Sequence, residues 1–418
     1  MLPLSSYGQE SEARSGSAYS SIGLGNPADS FSAGTVGMGL SGVSVHDPYT
    51  ANSANPALWG VGPYTQGSIV FGLQRYNATD GLESTVYNQF TVNQFQLVLP
   101  VVRSRFGISV GFFPTTRSNF DLGVEGSVSP DGEPIDYFNR IQGSGGGSKA
   151  ELGFGYRLSE SLAAGYAASV HFASLNREIN TAFDSEAFSN LAYSENISGR
   201  ALGHRFGLYG RTSDFLRNRD EVSFGASVSL PVTIETERSV SAFRETQNDF
   251  SSVDLLPENY DRTGEVQIPL EFNLGLTYNP GPLFNLSLEY QEQLWGQTRY
   301  SLDSDQENYL ADRSKIGMGA QFHPYRRDGS GGFFSGFKYS AGVTYDTGHL
   351  MVEDEQIETL MFHTGLGILS RRTPSSIDLS FQFGFRGTET KNLVKETMWG
   401  LKISFNLAEG MFVRSRFQ

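Results

Sequence analysis

Gly37-Met38-Gly39-Leu40-Ser41-Gly42 carries the G-x-G-x-x-G spacing that, between a strand and a helix, sets a pyrophosphate on the helix N-terminus. No strand pattern precedes it and no helical period follows, so its glycines read as turns in a compact segment. The six histidines, His46, His171, His204, His323, His349 and His363, include no i, i+4 pair and no zinc-ligand spacing. His46 beside Asp47 reads as an ordinary polar contact. Nothing signals a nucleophilic Ser–His pair with an orienting third group, and the acidic runs lack EF-hand spacing for calcium. With no cysteine, thiolates, disulfides and Cys-based metal sites are all excluded. No catalytic residue, metal or cofactor is therefore assigned, and the chain is expected not to be an enzyme.

Phe112-Phe113-Pro114-Thr115-Thr116 is the more telling constellation. It interrupts an alternating run, with Phe106, Ile108, Val110 and Phe112 before it and Phe120, Leu122 and Val124 after it. Proline cannot donate to a sheet ladder and belongs at an edge or a bulge. A kink here would open a gap between neighbouring strands, and these five residues are the candidate lateral gate. Pro269, inside another alternating run, is a second and weaker candidate.

The elements that position such a kink are strands. Of 418 residues, 38% are hydrophobic and 13% aromatic, yet mean hydropathy is −0.29, a combination that fits apolar side chains on every second position. Ile377, Leu379, Phe381, Phe383 and Phe385 alternate with polar or small residues, as do Trp399, Leu401, Ile403, Phe405 and Leu407. Val266, Ile268, Leu270, Phe272, Leu274, Leu276 and Tyr278 form the longest such run and are expected on one face. The longest unbroken apolar stretch, Leu97 to Val102, is far short of the roughly 20 residues of a spanning helix. The formal net charge of −14 excludes a nucleic-acid binder, which needs a basic face.

Connections alternate in length. Short ones are expected at Val102–Ser104, Ser159–Ser161, Asn279–Gly281 and Ser370–Ser375, and long ones at Ser127–Ser148, Asn176–Ser198, Ser239–Gly264 and Tyr300–Arg313. Arginines gather on the short side (Arg103/Arg105, Arg217/Arg219, Arg326/Arg327, Arg371/Arg372, Arg414/Arg416), and acids in the long loops (Asp303/Asp305/Glu307, Glu353/Asp354/Glu355). The pattern is that of an all-β fold: a transmembrane, antiparallel, up-and-down β-barrel of about 14 strands. A soluble sandwich or propeller would show no such asymmetry of loops.

Residues 9–63 are rich in Gly, Ser, Ala and Asn, mildly apolar, low in charge and without alternation. Such a segment suits an N-terminal plug in the lumen better than a solvated tail. Residues 1–8 read as a signal-peptide remnant, with small residues at Ser6 and Gly8 before Gln9. The barrel is assigned to 64–407 and a periplasmic tail to 408–418.

Gly37-Met38-Gly39-Leu40-Ser41-Gly42-Val43-Ser44-Val45, then Asp47 and Asn55-Pro56-Ala57-Leu58, resembles the N-terminal signature of the FadL/TodX (OmpP1-type) outer-membrane transporters. The run Ser20-Ser21-Ile22-Gly23-Leu24-Gly25 and the endings Leu401–Phe405 and Met411–Arg414 are similar to Bacteroidota-type members. The resemblance covers essentially the whole chain. It implies a fourteen-stranded barrel closed by an N-terminal hatch that contains Gly37, Met38, Gly39, Gly42, Asp47, Asn55, Pro56 and Ala57. It also implies a third strand kinked inward to make a lateral exit, and by strand count the Pro114 kink lies in the third strand.

The expected function is passive uptake of hydrophobic small molecules, such as long-chain fatty acids or hydrocarbons, across a Gram-negative outer membrane. The ligand would meet an apolar site between the loops, pass to the plug and leave laterally into lipid. The expected partners are that ligand and outer-membrane lipid. The alternative is a docking or shuttle barrel of a protein-secretion or surface assembly, holding an outer-membrane protein partner through loops such as Ser239–Gly264, with Phe243, Phe250, Leu255, Leu256 and Tyr260.

Overall fold

The computed structural model describes residues 16–29, 31–79, 81, 84–129, 133–185, 188–245, 250–252, 263–301, 309–324, 332–370 and 373–410. The arginine pairs at 326/327, 371/372 and 414/416, the acids at 303, 305 and 307, and Leu255, Leu256 and Tyr260 lie outside the described residues. Antiparallel strands close into one barrel of 14 strands. In chain order they are β1 (Thr65–Thr79), β2 (Ser84–Val102), β3 (Phe106–Pro114 and Phe120–Val128), β4 (Ile135–Arg157) and β5 (Leu162–Phe183). Then come β6 (Leu191–Ser213), β7 (Glu221–Ser229 and Val232–Glu245), β8 (Thr263–Ile268 and Glu271–Gly281), β9 (Phe284–Gln293) and β10 (Arg313–Phe322). The last four are β11 (Phe337–Asp346), β12 (Thr359–Leu369), β13 (Ser376–Arg386) and β14 (Lys395–Glu409). β1 pairs with β14 along its whole length, from Thr65↔Glu409 to Thr79↔Lys395, and closes the wall.

Alternation sorts the side chains as the period demands. On β14, Trp399, Leu401, Ile403, Phe405 and Leu407 point outward, whereas Met398, Gly400, Ser404 and Asn406 are buried inside. Outward apolar side chains such as Leu202 and Phe90 are 71% and 68% exposed. A belt of that kind is stable against hydrocarbon and not against water.

Two sequence expectations are corrected. Much of Ser127–Ser148, Asn176–Ser198 and Ser239–Gly264 is strand, not loop: β4, β5 and β6 run for 23, 22 and 23 residues, and β7 extends to Glu245. Beyond the roughly 9–11 residues that cross hydrocarbon, both faces meet water. The alternation therefore fades there while the ladders continue. The run Val266–Tyr278 does not keep one face either. Val266 is buried within the barrel, whereas Leu274 and Leu276 face outward, because the ladder breaks at Pro269 and the parity flips. Leu230–Pro231 in β7 does the same: Ser223 and Ser227 face inward before it, Val232 and Ile234 after it.

An arginine placed at Leu401, near the middle of β14 and outward-facing, should cost about 2–4 kcal/mol of folding free energy in lipid. Urea titration of the protein refolded into vesicles measures the loss.

Candidate functional site

Residues 16–62 touch strands all round the closed wall, which only chain inside the barrel can do. At the short-turn end, Asn55 caps the one-turn helix Pro56–Gly60 by accepting from the Ala57 amide at 3.0 Å. The same side chain donates to the Val43 and Leu208 carbonyls, each at 2.9 Å. Arg205 on β6 donates to the Ser53 and Ala54 carbonyls at 2.6 and 2.9 Å and forms an ion pair with Glu151 on β4. The wall is bare where the segment presses on it. A Cβ at Gly225 would lie 2.0 Å from the Val43 carbonyl oxygen.

The turn Ser41-Gly42-Val43 does cradle an anion, supplied by the chain itself. Glu289 on β9 accepts from the amides of Ser41, Gly42 and Val43 at 2.7, 2.8 and 3.0 Å and from the Ser41 hydroxyl at 2.8 Å. Gly42 has φ +85°, and backbone amides in such a turn converge on one oxyanion. Further up, Asp29 pairs with Arg313 at 2.8 Å and Lys315 at 2.5 Å. Burial alone would raise its carboxyl, but these two cations hold it far below the usual carboxylate range. At the long-loop end, the Ser17 hydroxyl donates to Glu396 at 2.8 Å, and Tyr19 packs with Leu350, Ile357 and Leu393.

The third strand breaks at the Pro114 motif. Phe112 faces outward and Phe113 inward, 2% exposed, and Pro114 is the last ladder residue, opposite Ser148 of β4. Thr115 and Ser118 donate to the carbonyls of Gly147 and Gly145 on β4 at 2.8 and 2.9 Å, so that side of the strand stays attached. The other side loses its ladder. The β2–β3 ladder runs from Val102↔Phe106 only to Phe95↔Phe112. Among the described residues no ladder joins Ser84–Gln94 to Phe120–Val128; side chains reach across instead, Arg117 donating to Asn93 Oδ1 at 2.5 Å and the Tyr87 hydroxyl to the Asp121 carbonyl at 3.5 Å. The backbone of the break turns inward and pairs with the N-terminal segment instead: Asn26↔Arg117 and Pro27↔Thr116, with the Ala28 amide donating to the Thr115 carbonyl at 2.8 Å.

Beside this contact lies a cavity of about 130 Å³, lined by Arg117, Arg313, Lys315, Arg386 and Lys402 together with Asp29 and Asp346. It is a polar space of cationic excess. Lys402 sits over the ring of Phe31 at 3.6 Å.

The expected plug residues are brought together in the lumen. Met38 is fully buried, with Gly342 and Gly319 behind it. Gly37 approaches Gly365, Gly39 approaches His363, and the Asp47 carboxylate accepts from the Tyr49 amide at 2.9 Å and lies 3.9 Å from Lys338. His46 is half-buried, its Nε2 out of contact with solvent, and removal from water lowers its pKa to about 4 against the pull of Asp47, with Arg211 and Arg157 lowering it further. Sequence reasoning missed Asp29, Glu289 and Arg205. Each is a charge at an inward or loop position whose partner lies over a hundred residues away. Among the described residues, no three His, Asp or Glu side chains gather to hold a metal.

A closed wall with an apolar outside and a polar inside belongs in the outer membrane of a Gram-negative bacterium, and the architecture is that of FadL-type channels. A FadL homologue of Pseudomonas aeruginosa superposes with TM-score 0.60 at 10% identity, covering 92% of this chain and 99% of that one. The CymD monoaromatic hydrocarbon channel gives 0.55 at 13%, covering 94% and 99%, and the Pseudomonas putida toluene transporter TodX gives 0.54 at 14%, covering 93% and 100%. At such identities the likeness is one of fold. The family model of BamG matches residues 1–418, and the chain belongs to the BamG family. No curated protein matches it.

Glu289→Ala should strand three amides and a hydroxyl, at about 2–4 kcal/mol in local stability. Limited proteolysis should then cut within 36–45 while the barrel persists. His46 supplies a pH dependence. An imidazole free in water protonates near 6.5, the seated one near 4, so seating the segment requires a neutral ring. Its contribution is complete above about pH 6.5 and is lost as pH falls towards 4. His46→Gln should flatten that slope in amide exchange of residues 43–47.

Proposed function

We propose that the protein is a passive outer-membrane channel for hydrophobic small molecules. Residues 9–63 act as a plug, 64–407 as the barrel, and Phe112–Thr116 as a lateral exit into the bilayer. The observation that carries this reading is the missing ladder between Ser84–Gln94 and Phe120–Val128, beside a break held by the plug. A ligand exposing roughly 300 Å² of apolar surface loses about 7 kcal/mol on entering water. A wall opening spares it that passage.

The neighbours in fold are a FadL homologue, a monoaromatic hydrocarbon channel and a toluene transporter. The cationic lining of the cavity favours, for this chain, an amphiphile with an ionised carboxylate, such as a long-chain fatty acid, over a plain hydrocarbon. The acid head would meet Lys402, and the tail the break in the third strand. Nothing in this scheme asks the chain for covalent chemistry, and it reads as a non-enzyme.

A second reading, a docking barrel of an outer-membrane assembly, is favoured by how firmly the lumen is fastened. Ser17–Glu396, Asp29–Arg313, the Glu289 cradle and Arg205 tie the segment from one end of the barrel to the other.

The direct neighbours Asn26 and Arg117 provide the test, since the chain has no cysteine of its own. In Asn26→Cys/Arg117→Cys, oxidation should reduce cellular uptake of radiolabelled oleate at least tenfold, and a reductant should restore it. Uptake equal in both redox states excludes the lateral exit. Absence of oleate uptake in the wild type, with a stoichiometric protein partner retained after extraction, supports the docking barrel.

A further inference from the structure

On the outer face of the wall, the apolar belt of β5, β6 and β7 ends at Phe172, Leu202 and Leu230. The next positions on the same face are polar. Phe172 stands opposite Arg200, and one rung further Ser174, Ser198, Glu237 and Thr263 follow one another across β5, β6, β7 and β8. Glu235 stands directly opposite Glu265. Beyond β8, Tyr300 turns inward to bridge with Val266, which leaves its neighbours Arg299 and Ser301 on the outer face.

These residues line a groove of about 1110 Å³. It holds five charges, Arg200, Arg299, Glu235, Glu237 and Glu265, and among the described residues no ion pair joins any two of them. Like charges directly opposite on a ladder repel, so Glu235 and Glu265 both stay open to a donor. A wholly anionic ligand would be repelled by the carboxylates, and a wholly cationic one by the arginines. A headgroup that carries phosphate and hydroxyl groups together suits both. Arginine takes phosphate through two parallel N–H donors, and a carboxylate accepts from hydroxyls. The belt at the lower edge of the groove adds a third requirement, acyl chains. Long loops of such barrels face the outside of the cell. The groove therefore opens where the headgroups of the outer leaflet meet its hydrocarbon.

We propose that this groove binds a phosphorylated glycolipid of the outer leaflet. Its phosphate lies on Arg200 and Arg299, its sugar hydroxyls on Glu235, Glu237 and Glu265, and its acyl chains along Phe172, Leu202 and Leu230. The site is outside the lumen and does not depend on what the lumen carries.

Native mass spectrometry of the full-length protein in detergent micelles, titrated with diphosphoryl lipid A, measures occupancy. A single molecule should be retained, and lipid A stripped of both phosphates should be held at least tenfold more weakly. Arg200→Gln/Arg299→Gln should weaken retention of the diphosphoryl form by the same factor. Arg217→Gln/Arg219→Gln, on the short turn at the opposite end of the barrel, should leave it unchanged. Equal retention with and without the phosphates overturns the proposal, and so does an equal loss in the two arginine variants. Displacement of the lipid by inorganic phosphate marks a plain anion site and overturns it as well. Should the groove variant fold poorly, the contrast between the two lipids on the unaltered protein decides.

Discussion

In hydrocarbon no backbone amide or carbonyl can be left without a partner, and the rest of this structure follows from that demand. The wall answers it with ladders from β1 round to β14, interrupted most deeply where prolines forbid one. At Pro114 the lost pairing is not simply absent. Thr115–Arg117 turn inward, keep β4 on one side and take Asn26–Ala28 on the other. The lumen segment is thus a surrogate strand for the wall as well as a filling for it.

The same economy explains the composition. The interior must hold nearly fifty residues of chain without α-helix or sheet of its own, so its backbone groups have to be met by the wall. They are met by inward polar and charged side chains: the Ser44 carbonyl by Ser223 at 2.9 Å, that of Asn52 by Gln96 at 3.0 Å, those of Ser53 and Ala54 by Arg205. Close contact needs small residues on the wall, as at Gly225. The polar lumen and the low mean hydropathy have one cause.

What the sequence made legible was whatever depends on the near neighbours of a residue. The outward belt of β13 and β14 could be read directly because alternation is local, and so could the interruption at Pro114, because proline acts on its own ladder position. The long arms of β4, β5 and β6 could not: above the bilayer both faces are wet, and pairing leaves no hydrophobic trace. Nor could the face of Val266, since a parity flip looks like continued alternation until the ladder is seen. The fastening of the lumen was hidden for a different reason. Glu289 sits in an alternating run as one more polar residue, and nothing local says that its partner is the turn at Ser41. The Gly37–Gly42 turn holds a carboxylate from a strand almost 250 residues on.

Ser17 lies among the long loops beside Glu396, and Gly62 sits at the opposite end, where the Ser104 amide donates to its carbonyl at 3.3 Å. The chain therefore traverses the full height of the barrel before the first strand begins. A finished cylinder packed this closely could not be threaded afterwards. The β1–β14 seam must zip around a segment already lying in the trough of the open sheet, so a stretch that precedes β1 in the chain is enclosed only when β14, made long after it, finds its partner.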